Sequence, residues 1–201
     1  MKTTTFILFY LFLYPHISFA ESPWVLEKEK NGIKVWTRKP DNATLKEYKA
    51  ITTMQISVDK LVAFFRDYKN YDQWMYKVEP GSVKLIKRNN ENDFFIRMVV
   101  SAPLIKGRES ITRFIFNKPD SKGAVLITLD AAPDLLPLND LYVRIPKMKA
   151  YWKFTPLANG TTEITQQALS SIGGNFPESI ANLGIVDAPY TMMIRLKEFL
   201  K

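Results

Sequence analysis

The residues that could do chemistry in this chain are few, and what is missing among them narrows the function most. The only histidine is His16, and there is no cysteine. His16 falls within a segment that reads as a removable address, so the rest of the chain holds no imidazole and no thiol. Ser-His-Asp and Cys-His nucleophilic catalysis both depend on such groups, and so do most zinc and copper sites. No metal and no cofactor are expected. What remains is Asp67 and Asp72 on either side of an aromatic segment, the adjacent Arg108 and Glu109 after a glycine, and the hydroxyls of Ser110 and Thr112. Asp67 and Asp72 read as caps and core anchors, with Asp72 also available as a carboxylate for acid–base work. Arg108 and Glu109 read as a structural ion pair at a strand start. Ser110, Thr112 and Phe114 alternate along one strand face. A few hydroxyls on an apolar wall are what orients a bound ligand. Ile96, Met98 and Val100 form a second apolar face, while Arg97 and Arg113 on the alternate faces are expected in solvent.

These side chains must be held by a framework. Lys2, an apolar run over 6–14 and the small-x-small sequence Ser18-Phe19-Ala20 have the form of a signal peptide. The run is short for a membrane span, which needs about 20 apolar residues, and Pro15 interrupts it. Cleavage after Ala20 takes 20 of the 201 residues and leaves 181, one domain of ordinary size. Export to the periplasm or outside the cell follows as an expectation. Losing Lys2 lowers the formal charge from +8 to +7. That balance suits solubility or a transient contact with an anionic membrane. Acids are interspersed among the bases with no dense basic run, so nucleic acid is not an expected partner.

Alternation predicts strands over 33–37, 45–56, 83–88, 94–100, 109–117, 124–131, 142–155 and 162–170. Residues 24–30 read as one or two helical turns. Ser57 is a candidate N-cap for a helix over 58–67, and Asn159-Gly160 is a type I′ hairpin signal. Over 177–201, Ile180, Leu183, Val186, Tyr190, Met193, Leu196 and Leu200 recur at steps of three and four. One amphipathic helix about 37 Å long is expected at 1.5 Å per residue. Pro189 within it would kink the helix, split it in two, or form a hinge with Gly184. Strands joined by short hairpins, with helices set apart, give the α+β class.

Several of these segments together resemble a known family. They are Trp24-Val25-Leu26 with Gly32-Ile33-Lys34-Val35, Lys46-Glu47-Tyr48-Lys49-Ala50, and Asp67 with Tyr71-Asp72-Gln73-Trp74. Further along come Pro103 through Gly107-Arg108-Glu109, Tyr142-Val143-Arg144 with Trp152-Lys153-Phe154-Thr155-Pro156, and Gly173-Gly174 with Pro177 and Asn182. In this order they resemble the START (steroidogenic acute regulatory-related lipid transfer) domains of the exported bacterial kind, over nearly all of residues 21–201. The resemblance implies a helix-grip fold, in which a curved antiparallel sheet wraps a long C-terminal helix around an internal hydrophobic cavity. It implies non-catalytic binding, and transfer, of one lipid or other hydrophobic molecule by a monomer. Loop 101–107 and the C-terminal helix would gate the cavity. The implied wall is Ile96, Met98, Val100, Ser110, Thr112 and Phe114, with Pro103, Leu104 and Ile105 at the gate and Ile180, Leu183, Val186 and Tyr190 from the helix. Arg144 would join Arg108 and Glu109 among the structural ion pairs. Phe114 stands where lipid-transfer members place the basic half of a buried charged pair. The alternative is a cyclase- or hydrolase-like enzyme on the same scaffold using Tyr, Asp or Glu in the cavity. A module with a filled core would be an interaction protein instead.

Overall fold

A computed structural model describes residues 22–41, 45–102, 105–171, 173–174, 182 and 184–201. The signal-peptide segment, Pro103, Leu104, Ile180 and Leu183 lie outside these residues, as does the side chain of Ile105. Ten strands form one sheet in the order β1-β2-β3-β10-β9-β7-β6-β5-β4, every neighbouring pair antiparallel. The strands are β1 (Val25–Lys30), β2 (Ile33–Arg38), β3 (Glu47–Met54), β4 (Lys84–Asn90), β5 (Asp93–Ala102), β6 (Ile105–Phe116), β7 (Val125–Ala131), β8 (Val143–Arg144), β9 (Met148–Pro156) and β10 (Thr162–Ser170). The short β8 lies off this path and pairs parallel with β6. Helices α1 (Val58–Arg66) and α2 (Tyr71–Trp74) follow β3, and α3 (Asp187–Phe199) ends the fold. This is the expected α+β arrangement.

Most strands fall where alternation puts them. Residues 101–102 and 105–107, expected in the gate loop, instead continue β5 and begin β6, because they pair with each other. Residues 25–30 are a strand, not helical turns, because they pair with β2 through the left-handed turn at Asn31 (φ 55°) and Gly32 (φ 67°). The expected strand over 142–155 is divided in two at Pro146, which separates β8 from β9. At the β9–β10 hairpin, Asn159 (φ 61°, ψ 30°) and Gly160 (φ 71°) are both left-handed, as a type I′ turn requires. Ser57 caps α1 by accepting from the Lys60 amide.

The C-terminal run is not one unbroken helix. Residues 184–186 are turns, with Gly184 at φ 83°, and α3 begins only at Asp187. Pro189 is therefore in the first helical turn, where its missing N–H breaks no helical hydrogen bond, so it does not kink α3. At 13 residues α3 is about 20 Å long. It buries Pro189, Met192, Met193 and Leu196 and packs on β3, β2 and α2.

One end of the inner face is filled by rings. Phe65 from α1 packs against Trp152 (4.9 Å between centroids), Phe154 (5.0 Å) and Trp74 (5.1 Å). Phe114 stacks on Phe94 at 5.8 Å and meets Tyr71 at 5.6 Å. The Tyr71 hydroxyl donates to the Phe65 carbonyl, which ties α2 to the end of α1.

Candidate ligand-binding site

The register aligns the inward side chains of five strands, and toward one end of the sheet the bulkier ones give way to Ala, Ser, Thr and Met. On β9 the series is Phe154, Trp152, Ala150, Met148, and on β10 it is Ile164, Gln166, Ala168, Ser170. On β7 it runs Val125, Ile127, Leu129, Ala131, and on β6 Phe116, Phe114, Thr112, Ser110. On β5, Phe94, Ile96 and Met98 lie opposite Phe114, Thr112 and Ser110. Trp152, Phe154, Phe94 and Phe114 are fully buried, whereas Ala131, Met148, Ala150 and Ser170 are only half-buried. Interiors normally pack to crystal density, so inward residues that keep accessible surface mark a space. Tyr48, opposite Ala168 on β3, shares that face. Burial raises its phenol pKa, yet it too remains half-buried.

Beside Ala131, Met148 and Ser170 lies a cleft of about 500 Å³, lined also by Leu45, Pro146, Lys147 and, from the opposite strand faces, Asp130, Lys149 and Leu169. It lies where β7 and β10 end and β9 begins. The approach to α3 passes here. Gly173 (φ 66°) sits so close to β8 that an added Cβ would come within 2.7 Å of the Arg144 carbonyl oxygen, so only glycine fits.

The expected wall residues are brought together in part. Ile96, Met98, Ser110 and Thr112 form one cross-strand patch, and the two hydroxyls bond each other at 2.7 Å. Val100, half-buried, lies beyond them opposite Arg108. Phe114 lies within the aromatic cluster. Val186 and Tyr190 pack on the core, but the Tyr190 hydroxyl accepts from Asn31 at 2.9 Å and Lys28 sits 4.1 Å over its ring. Its polar end therefore faces the β1–β2 turn. Ala131, Met148, Ala150, Ser170 and Tyr48 escaped sequence reasoning, although the fall in side-chain size along 148–154 was there to be read.

The charged residues rearrange the expected pairing. Glu109 does not rely on its neighbour Arg108, because successive strand residues point to opposite faces. It bonds Arg97 Nε at 2.5 Å and Arg144 Nη2 at 2.7 Å from neighbouring strands. Arg97 is thus largely buried in an ion pair, not solvated, and Arg113 pairs with Asp93 at 2.7 Å. Burial alone would raise the Glu109 pKa; hydrogen bonds from Arg97 and Arg144 outweigh it and hold the carboxyl below its usual value. Arg108 shares the inner face with Ser110 and is buried, with Nη1 donating to the Lys106 carbonyl; desolvation lowers its pKa. Asp67 makes no side-chain cap bond to the turn after α1, accepting instead from the Asn70 side-chain amide at 2.6 Å, and Asp72 accepts from the Gly81 amide at 2.7 Å. Both act structurally. Trp74 Nε1 and Gln166 Oε1 are enclosed in the interior with no hydrogen-bond partner. Among the described residues no group of three or more His, Cys, Asp or Glu is placed to hold a metal ion.

A curved sheet gripping a C-terminal helix, with inner side chains tapering toward an open end, defines a helix-grip domain. Likeness to known proteins places it further. A STAR-related lipid transfer protein from Xanthomonas axonopodis superposes with a TM-score of 0.80 at 30% identity, over 88% of this chain and 98% of that one. This chain belongs to the START family. Human StAR-related lipid transfer protein 5 matches with a TM-score of 0.73 at 15% identity, over 89% and 88% of the two chains, a likeness of fold. An uncharacterised protein of Pseudomonas aeruginosa is 27% identical over 174 residues, 87% of this chain and 85% of that protein. No family model matches the sequence.

Proposed function

We propose that this protein binds one hydrophobic molecule, a lipid or a compound of similar character, in the space between the tapered end of the sheet and the C-terminal helix, and that it does so without catalysing a reaction. The observation that carries this reading is the taper itself. Rings on β9, β6 and β5 and larger aliphatic or amide side chains on β7 and β10 give way to Ala, Ser, Thr and Met toward the same end, and there Ala131, Met148, Ala150 and Ser170 keep accessible surface. A cleft of about 500 Å³ is in the range of small-molecule sites. Burying roughly 300 Å² of apolar ligand at about 25 cal/mol per Å² supplies on the order of 7 kcal/mol before ordering costs. The size and shape of the ligand would then matter more than any one polar contact.

The inner-face tyrosines offer no ready general base, because burial raises the phenol pKa of Tyr48 and Tyr71. The carboxylate of Glu109 belongs to the opposite face. Export after cleavage at Ala20 is part of the same proposal and would place the protein beside envelope lipids.

Native mass spectrometry of detergent-free protein, followed by solvent extraction, tests the reading. A discrete adduct that is released as a hydrophobic compound, and is lost in Ala150→Phe, is the expected result. An adduct-free mass, together with no binding from a panel of fluorescent lipids, would refute it.

A further inference from the structure

The two most exposed large hydrophobic residues of the described chain are neighbours. Leu138 is 78% exposed and Leu141 73%, with Leu135 at 37% close by. They lie in the link over 132–147 between β7 and β9, whose two ends, at Ala131 and at Pro146–Met148, line the cleft. Loops normally turn polar groups to water and tuck apolar ones inward. Here the order is reversed, and the reason is visible.

Arg144, anchored on Glu109, donates to the carbonyls of Pro133, of Leu136 (3.1 Å) and of Pro137 (2.9 Å). Glu109 also accepts from the Asn139 amide at 3.2 Å, and Asn139 Oδ1 accepts from the Leu141 backbone at 3.0 Å. Tyr142 packs close over Gly107, with Arg97 at 5.3 Å from its ring. Carbonyls of the link and the Asn139 amide are thus turned in toward a buried ion-pair network, and Leu135, Leu138 and Leu141 are held out in water. An exposed apolar cluster held this firmly marks a contact surface.

We propose that Leu135, Leu138 and Leu141 are a docking surface for a lipid bilayer containing anionic lipid. The proposal rests on the ligand-binding reading, since a hydrophobic ligand that enters through this cleft is drawn from a membrane. Charge argues for the same partner. Without the signal segment the chain carries a formal +7, and exposed Lys106, Lys147 and Lys149 stand beside the link against Asp134 and Asp140 within it. Long-range attraction to an anionic surface brings the protein in, and insertion of the leucines among the headgroups holds it there.

Co-sedimentation with phosphatidylcholine vesicles, with and without phosphatidylglycerol, tests this on the purified protein. Wild type is expected to sediment with the anionic vesicles. The double variant L138S/L141S is expected to lose about tenfold or more of that binding, with its thermal midpoint and its uptake of a fluorescent fatty acid from solution unchanged. Lys106→Gln and raised salt should weaken binding more modestly. Equal sedimentation of wild type and the double variant would overturn the docking surface, as would wild type that stays in the supernatant. In either case fatty-acid uptake by wild type would leave the ligand reading standing. Leucine-dependent sedimentation without uptake would do the reverse. A double variant that also loses its thermal midpoint would show the leucines to be structural, and the proposal would fall.

Discussion

The two ends of the inner face use the same strands, the same register and the same alternation, yet they do opposite things. At the α1–α2 end, Phe65, Trp74, Trp152, Phe154, Phe94 and Phe114 fill the curve of the sheet with ring-to-ring contacts of 4.9 to 5.9 Å. At the other end Ala150, Ala168, Ala131 and Ser170 stand on the same inner face and bring no rings to it. A strand cannot choose which way successive residues face, so volume on the inner surface is set one residue type at a time. The lesson is that stability and binding are divided lengthwise along each strand. One end is a plug that closes the sheet, and the other is the space which that closure makes possible.

Substitutions that interchange the two ends are the sharpest tests. Trp152→Ala, in the plug, is expected to cost about 3–5 kcal/mol in urea unfolding, because a large cavity opens among rings that cannot collapse. Glu109→Ala should cost a similar amount, about 3–5 kcal/mol, since it strands Arg97 and Arg144 in a buried site and loosens the 132–147 link. Its effect on the melting temperature should fade in acid. The folded pKa of Glu109 is depressed, so its stabilisation is present above the unfolded carboxyl value and is lost as pH falls through the folded value.

A smaller difference is expected between two alanines on one face. Ala50→Leu, at a fully buried site, should destabilise by about 1–3 kcal/mol through overpacking. Ala150→Leu, at the tapered end, should leave the thermal midpoint nearly unchanged while weakening ligand uptake. If both alanines behave alike, the distinction between plug and space is lost. Gln166→Leu should change stability by less than about 1 kcal/mol or raise it, since the Oε1 that it removes is buried without a partner. Finest of all is a titration. Asp93, held by the Arg113 side chain, should titrate near pH 2, and in Arg113→Gln its carboxyl shift followed by NMR should move back toward 3.8.

Much of the fold is legible in the order of residues. Hairpin turns such as Asn159-Gly160, the Ser57 cap and period-2 alternation are local, and they place most of the strands and α1 to within a few residues. Sequence reasoning fails where a distant partner decides. Residues 25–30 carry a mixed pattern that only pairing with β2 resolves into a strand. Tyr190 fits an inward helical stripe, but Asn31 and Lys28 take its polar end. Glu109 has an arginine beside it in sequence and two others brought to it by neighbouring strands. The cross-strand patch of Ile96, Met98, Ser110 and Thr112 is legible in the alternation. Ala131, Ala150 and Ser170, beside the cleft, are notable in sequence only for being small.

The sequence alone determined the chemistry available. Without histidine beyond residue 16 and without cysteine it excluded Ser-His-Asp and Cys-His catalysis, and its strand periods specified an antiparallel α+β fold. Those properties depend on residue identity and on neighbours a few positions away. Tertiary structure decided where the volume is missing, which arginines hold Glu109, and that the leucines of the 132–147 link face water. Each of these depends on side chains from strands far apart in sequence meeting at one level of the sheet, and only the register of the folded chain sets that level.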